Sequence, residues 1–125
     1  MNTLKLSTLP KTWIIDLDGT IFKHNGYLKE REEIPLPGVK QIFAQLSYDD
    51  YVIITTSRPE KFRQITERNL NKTGIRYNLL LMGLPIGERI LINDVKLSGL
   101  KTSYAINLKR NQGMAKLIIQ YQENL

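Results

Sequence analysis

Three short runs in this chain are apolar without alternation, and each ends abruptly in polar residues. They are Thr12 to Leu17, Tyr51 to Thr56, and Arg89 to Asn93 with its Ile-Leu-Ile centre. Continuous apolar, β-branched character is what strands covered on both faces show. A weaker run, Leu79 to Met82, predicts a further strand, and Ser103 to Asn107 predicts an edge strand. Helical patterns lie between them. Pro37 to Leu46 carries Val39, Ile42, Phe43 and Leu46 at helical spacing, with Pro37 in the first turn. Pro59 to Lys72 carries Phe62, Ile65, Asn69 and Leu70 and stops before Gly74. Asn111 to Gln122 predicts a third helix, with Met114, Leu117, Ile118 and Tyr121 on one stripe.

Strands alternating with helices imply an α/β fold, a three-layer doubly wound, Rossmann-like parallel sheet. Residues 1–125 read as one domain, without repeats, linkers or low-complexity tracts. Ligands in such folds sit beyond the carboxyl ends of the strands. The three continuous runs end in Asp16-Leu17-Asp18, Thr55-Thr56-Ser57 and Asn93-Asp94, so all three polar clusters fall on one sheet edge.

The richest of these ends is Trp13 to Thr20, W-I-I-D-L-D-G-T. Strand periodicity puts Asp16 and Asp18 on the same side, converging just past the strand. Two carboxylates so close suit a hard oxygen-seeking cation such as Mg²⁺, and equally suit divided nucleophile and acid/base roles. Gly19 lets the chain turn sharply there. The irregular connection Ile21 to Ile34, with His24-Asn25-Gly26-Tyr27 as a predicted hairpin tip, hangs beside the pair and could cover it.

Composition narrows the classes of function. No apolar run approaches ~20 residues, so no membrane span is expected, and Met1 to Pro10 has no stretch resembling a signal peptide. The chain contains no cysteine, which removes disulfides, thiolate zinc sites and a cysteine nucleophile and fits a cytoplasmic protein. The net charge of +6 suits a small phosphorylated substrate. The basic residues neither cluster nor interleave with aromatics, so a nucleic-acid partner is not expected.

With D-L-D-G-T, then V-I-I-T-T-S-R-P, then I-L-I-N-D in this order, the chain resembles the haloacid dehalogenase superfamily of aspartate-nucleophile phosphatases between Trp13 and Lys96. The resemblance implies that Asp16 attacks phosphorus to form an aspartyl-phosphate and that Asp18 protonates the leaving oxygen and then activates water. It implies Mg²⁺ held by Asp16, the Asp18 carbonyl and Asp94, with the Thr56 hydroxyl on a phosphoryl oxygen. Gly19, Thr20, Ser57, Arg58 and Lys96 are the further candidates for contact with the phosphoryl group. Taken singly, Thr56 reads as a β-branched strand residue and Asn93-Asp94 as a turn.

Two departures stand out. The family's clamping cation falls in Met82-Gly83-Leu84-Pro85, where Leu84 occupies the cationic position. Arg58, Lys61, Lys72, Arg89 and Lys96 are the substitutes available. Arg58 and Lys96 follow active-edge motifs directly, whereas Arg89 begins a predicted strand and so belongs at the wrong end. Asn93 and Ser98 stand where acids are common in the family, which weakens the expected metal site.

Segments 19–55 and 57–92 are each filled by a loop or helix and a strand, which leaves no room for a cap domain. Similarity to small capsular-polysaccharide and sugar-phosphate phosphatases implies a sugar-phosphate-like metabolite of polysaccharide synthesis, on an open site that a neighbouring subunit of a homo-oligomer could close. Two other expectations stand beside it: a catalytically weak or inactive module binding a phosphorylated ligand, and a nucleic-acid end phosphatase.

Overall fold

A computed structural model describes residues 2–29 and 32–123. Its centre is a three-stranded parallel sheet of β2 (Thr12–Asp16), β3 (Tyr51–Thr55) and β4 (Leu79–Leu81), in that spatial order. Ile14 pairs with Ile53, Ile15 with Ile54 and Asp16 with Thr55, while Ile54 pairs onward with Leu80. The crossovers carry α1 (Val39–Gln45) and α2 (Arg63–Lys72), the latter entered through a 3₁₀ turn at Glu60–Phe62. Val39 and Ile42 from α1 and Leu70 from α2 close on Val52 and Ile54 of β3, and this is the core. The predicted strands at 12–17, 51–56 and 79–82 and the predicted helices at 37–46 and 59–72 are therefore present, trimmed by a residue or two at most ends.

Asp50 holds the starting edge of this sheet together. Its carboxylate accepts from the backbone N–H groups of Lys11 (2.9 Å) and Ser47 (3.1 Å) and from the Trp13 indole N–H (2.9 Å). Burial pushes its pKa up, but these three donors outweigh that and hold it below the usual carboxylate value.

Three expected elements are not found. The last segment forms β5 (Leu117–Tyr121), not a helix, and pairs in parallel with β1 (Asn2–Leu6), so that Leu4 faces Ile119 and Leu6 faces Tyr121. The stripe Met114, Leu117, Ile118, Tyr121 fits helical spacing, but Leu117 and Ile119 also alternate with exposed neighbours, as a strand requires. Both pack against the core, and β1 supplies Leu4 and Leu6 in the same alternation. Tight backbone contact fixes the approach to β5. The Met114 N–H donates to the Pro37 carbonyl at 2.7 Å, and Gly113, at φ +81°, lies so close to Pro37 that any Cβ would collide with it.

The second is the strand at Arg89–Asn93. Among the described residues no helix or strand forms between Met82 and Lys116, and the edge strand at 103–107 is likewise missing. A parallel neighbour needs a crossover of about a dozen residues or more. Only residues 82–88, with Gly83, Pro85 and Gly87, separate β4 from Arg89, too few to bring it alongside β4. Among the described residues the sheet β2-β3-β4 runs in sequence order, so the architecture is α/β with two small parallel sheets, compatible with a Rossmann-like fold. No helix among the described residues is long and apolar enough to cross a membrane.

Candidate active site

The carboxyl end of β2 continues into a tight turn that separates odd from even residues. Leu17 donates to the Thr55 carbonyl, and the N–H groups of Ile21 and Phe22 return to the Leu17 carbonyl at 2.9 and 3.0 Å. Leu17, Ile21 and Phe22 are buried beneath. Asp16, Asp18 and Thr20 stay on the partly open side. Gly19, at φ +85°, makes the reversal, and the Arg110 side chain lies directly over it.

The two aspartates have opposite surroundings. Asp16 has a side chain 36% exposed, accepts from the Thr20 hydroxyl at 3.1 Å, and faces Arg89 Nη1 at 3.4 Å. Burial raises its pKa above the ordinary 3.8, and Thr20 and Arg89 offset only part of that rise. Asp18, 14% exposed, is gripped from both sides. The Thr56 hydroxyl donates to Oδ2 at 2.6 Å and Arg58 Nε donates to Oδ1 at 2.9 Å.

Thr56 and Arg58 are both brought to Asp18. Both are buried, and both are spent on Asp18 rather than presented to a ligand at the sheet edge. Arg58 also makes a fork to Glu33, with Nη1 at 3.0 Å from Oε2 and Nη2 at 2.5 Å from Oε1. Burial works against its charge, but Glu33 and Asp18 together raise its pKa further. Ser57 lies at the edge, where its hydroxyl donates to the Pro85 carbonyl at 3.4 Å. Leu84 reaches the site through its backbone alone, donating to the Thr56 carbonyl at 3.1 Å.

The structure reverses the expectation for the free cations. Arg89, placed at the wrong end by sequence, stands on Asp16 because no strand carries it away. Lys96 is exposed, in a turn closed by the Gly99 N–H on its carbonyl. Asp94 lies in the irregular segment, where its carbonyl accepts from the Thr102 hydroxyl.

Among the described residues no group of three or more acidic or histidine side chains gathers to hold a metal ion. Of the groups that the resemblance assigns to Mg²⁺, the Asp16 carboxylate faces the Arg89 guanidinium and Asp94 lies in the irregular segment after β4.

No family model, curated protein or solved structure matches the chain. Sequence reasoning missed Glu33 and Thr66, which bond Arg58 from behind, and Asn69, which donates to Glu33. It also missed Asn111, whose side chain accepts from the His24 N–H at 2.7 Å and whose own N–H donates to the Gly19 carbonyl at 2.9 Å. None of these four carries a local signal, since each lies far along the chain from the aspartates.

Proposed function

We propose that this protein hydrolyses phosphomonoesters through an aspartyl-phosphate at Asp16. One observation carries the reading: two carboxylates leave one strand end into environments that push their roles apart. Asp16 is open enough to meet a substrate and has Arg89 and the Thr20 hydroxyl beside it, while Asp18 is held in place by two donors. Carboxylate pairs in unlike surroundings are the usual basis for separate nucleophile and acid/base roles.

In the first step an Asp16 oxygen forms a bond to phosphorus as the ester P–O bond breaks, and the leaving oxygen takes a proton from Asp18, which must enter the cycle protonated, with Oδ2 released from the Thr56 hydroxyl toward the leaving group. In the second, water attacks the aspartyl-phosphate, its proton returns to Asp18, and inorganic phosphate departs. Phosphoryl transfer depends mainly on alignment and on positive charge around the equatorial oxygens. Arg89 is the cation nearest to hand. The expected substrate is a sugar-phosphate-like metabolite of polysaccharide synthesis in the cytoplasm. The family resemblance, the lack of a cap, the absence of cysteine and the positive charge support it. Mg²⁺ belongs to the proposal through the same resemblance.

A second reading is favoured by Leu84 in the cationic position and by the commitment of Thr56 and Arg58 to Asp18. In that reading the chain binds a phosphorylated ligand without turning it over.

The deciding experiment measures phosphate release from sugar phosphates, nucleotides, a 5′-phosphorylated oligonucleotide and an aryl phosphate, with Mg²⁺ and with chelator. Turnover that disappears in Asp16→Asn is expected. Undiminished turnover in that variant would exclude the aspartate mechanism. No turnover, together with a rise in Tm on adding a sugar phosphate, would favour the binding module.

A further inference from the structure

Arg58 is among the largest fully buried side chains in the protein, and the chemistry above gives it no substrate to hold. It lies between two carboxylates. A buried ion pair adds little stability over apolar packing of the same volume, so stability alone does not account for its presence.

What the arrangement does supply is orientation. Glu33 takes the Nη1 and Nη2 edge of the guanidinium as a fork, at 3.0 and 2.5 Å. Asn69 Nδ2 donates to Glu33 Oε2 at 2.9 Å, and Thr66 Oγ1 accepts from Arg58 Nη1 at 3.0 Å. These two residues lie one turn apart on α2, so a rigid element sets the depth of Glu33. The Tyr27 ring covers the guanidinium face at 4.1 Å and is itself braced edge-on by Phe62, with ring centroids 5.0 Å apart. With plane, depth and rotation all fixed, Nε can point only where it does, at Asp18 Oδ1.

We infer that Glu33 and Arg58 are a positioning pair for Asp18. Glu33 locks the guanidinium, the guanidinium fixes one Asp18 oxygen, and Thr56 fixes the other. The loop carrying Tyr27 and Glu33 thereby controls the geometry of the acid/base rather than touching substrate. The inference rests on the reading of Asp18 as that acid/base, but its geometric half can be tested without turnover.

The experiment compares Glu33→Gln and Asn69→Ala with the wild type, and uses Lys72→Ala as control. Lys72 pairs with exposed Glu32 on the same loop and does not touch this cluster. Glutamine keeps the shape of Glu33 but sets an NH₂ group against an arginine donor. Two readouts are taken well below every Tm: the carboxyl-carbon NMR resonance of Asp18 at one fixed pH, and kcat and KM on the best substrate found.

In Glu33→Gln the Asp18 resonance is expected to move and kcat to fall roughly tenfold to a hundredfold with KM nearly unchanged, as misplacement of a reacting group does. Asn69→Ala should shift both in the same direction by less, and Lys72→Ala neither. A lowered Tm with the Asp18 resonance and kcat unchanged would show that the pair merely fastens the loop, and would overturn the inference. Should the wild type turn over no phosphomonoester, the phosphatase reading falls by itself. The resonance still decides the positioning claim: movement supports it and constancy overturns it. Should Glu33→Gln fail to fold, Asn69→Ala decides by the same readouts.

Discussion

Residues 12–82 and residues 83–116 both contain strand-like apolar runs, yet only the first region buries them. Val52 and Ile54 on β3 are fully inaccessible, whereas Ile90, Ile92 and Leu97 are 78%, 89% and 109% exposed. Hydrophobicity does not separate V-I-I from I-L-I; the connections do. In the first region β2 and β3 are each followed by a helix that returns the chain in parallel and covers the sheet. After β4 no helix arrives, and the apolar ribbon from Ile86 to Val95 remains unpaired. The side of β2 away from β3 has no strand partner among the described residues.

The sharpest way to break this comparison is to truncate one isoleucine in each region. Ile54→Ala should cost about 3–4 kcal/mol in urea unfolding, the usual range for a buried aliphatic deletion. Ile92→Ala should stay within about 0.5 kcal/mol, as for exposed positions without special contacts. Equal losses would mean that the ribbon is packed. Next in size is Asp50→Ala, expected to cost about 2–3 kcal/mol because three donors lose a charged acceptor. The Asp50 pKa is lowered by folding, so its contribution is present above the ordinary 3.8 and lost as pH falls through the lowered value. Wild type and Asp50→Ala should therefore converge in stability under acid, and a pH-independent gap would contradict that role.

The smallest effect has the opposite sign. Folding raises the pKa of Asp16, so its stabilising share is present below the ordinary 3.8 and is lost as pH rises through the raised value. Asp16→Asn should accordingly be slightly more stable than wild type at neutral pH, with the gap closing in acid. A variant less stable at neutral pH would show that Arg89 and Thr20 outweigh burial. Such an inversion is expected where a carboxylate is kept for chemistry at the expense of the fold.

Legibility followed the same division. The strands at 12–17, 51–56 and 79–82 and both crossover helices were readable because pattern, length and stop signals agreed. Residues 117–121 were not, since a five-residue apolar run satisfies helical and strand spacing alike until β1 supplies a partner. The aspartate pair and its turn were visible in D-L-D-G-T. The setting of Arg58 was not, because it depends on Glu33, and nothing local distinguishes Glu33 from its exposed neighbour Glu32. Only its bonds to Arg58 and Asn69 select it. The apolar run after Arg89 predicts a strand that would carry it to the opposite end of the sheet, but an apolar run without a crossover does not pair, and Arg89 lies beside Asp16.

The central claim, that Asp16 carries the phosphoryl group, is tested most directly by mass spectrometry of protein quenched in acid during turnover of a phosphomonoester. The expected result is a phosphorylated peptide with the modification on Asp16, present in the wild type and absent from Asp16→Asn. Turnover without any such adduct, or an adduct on another residue that survives Asp16→Asn, would contradict it.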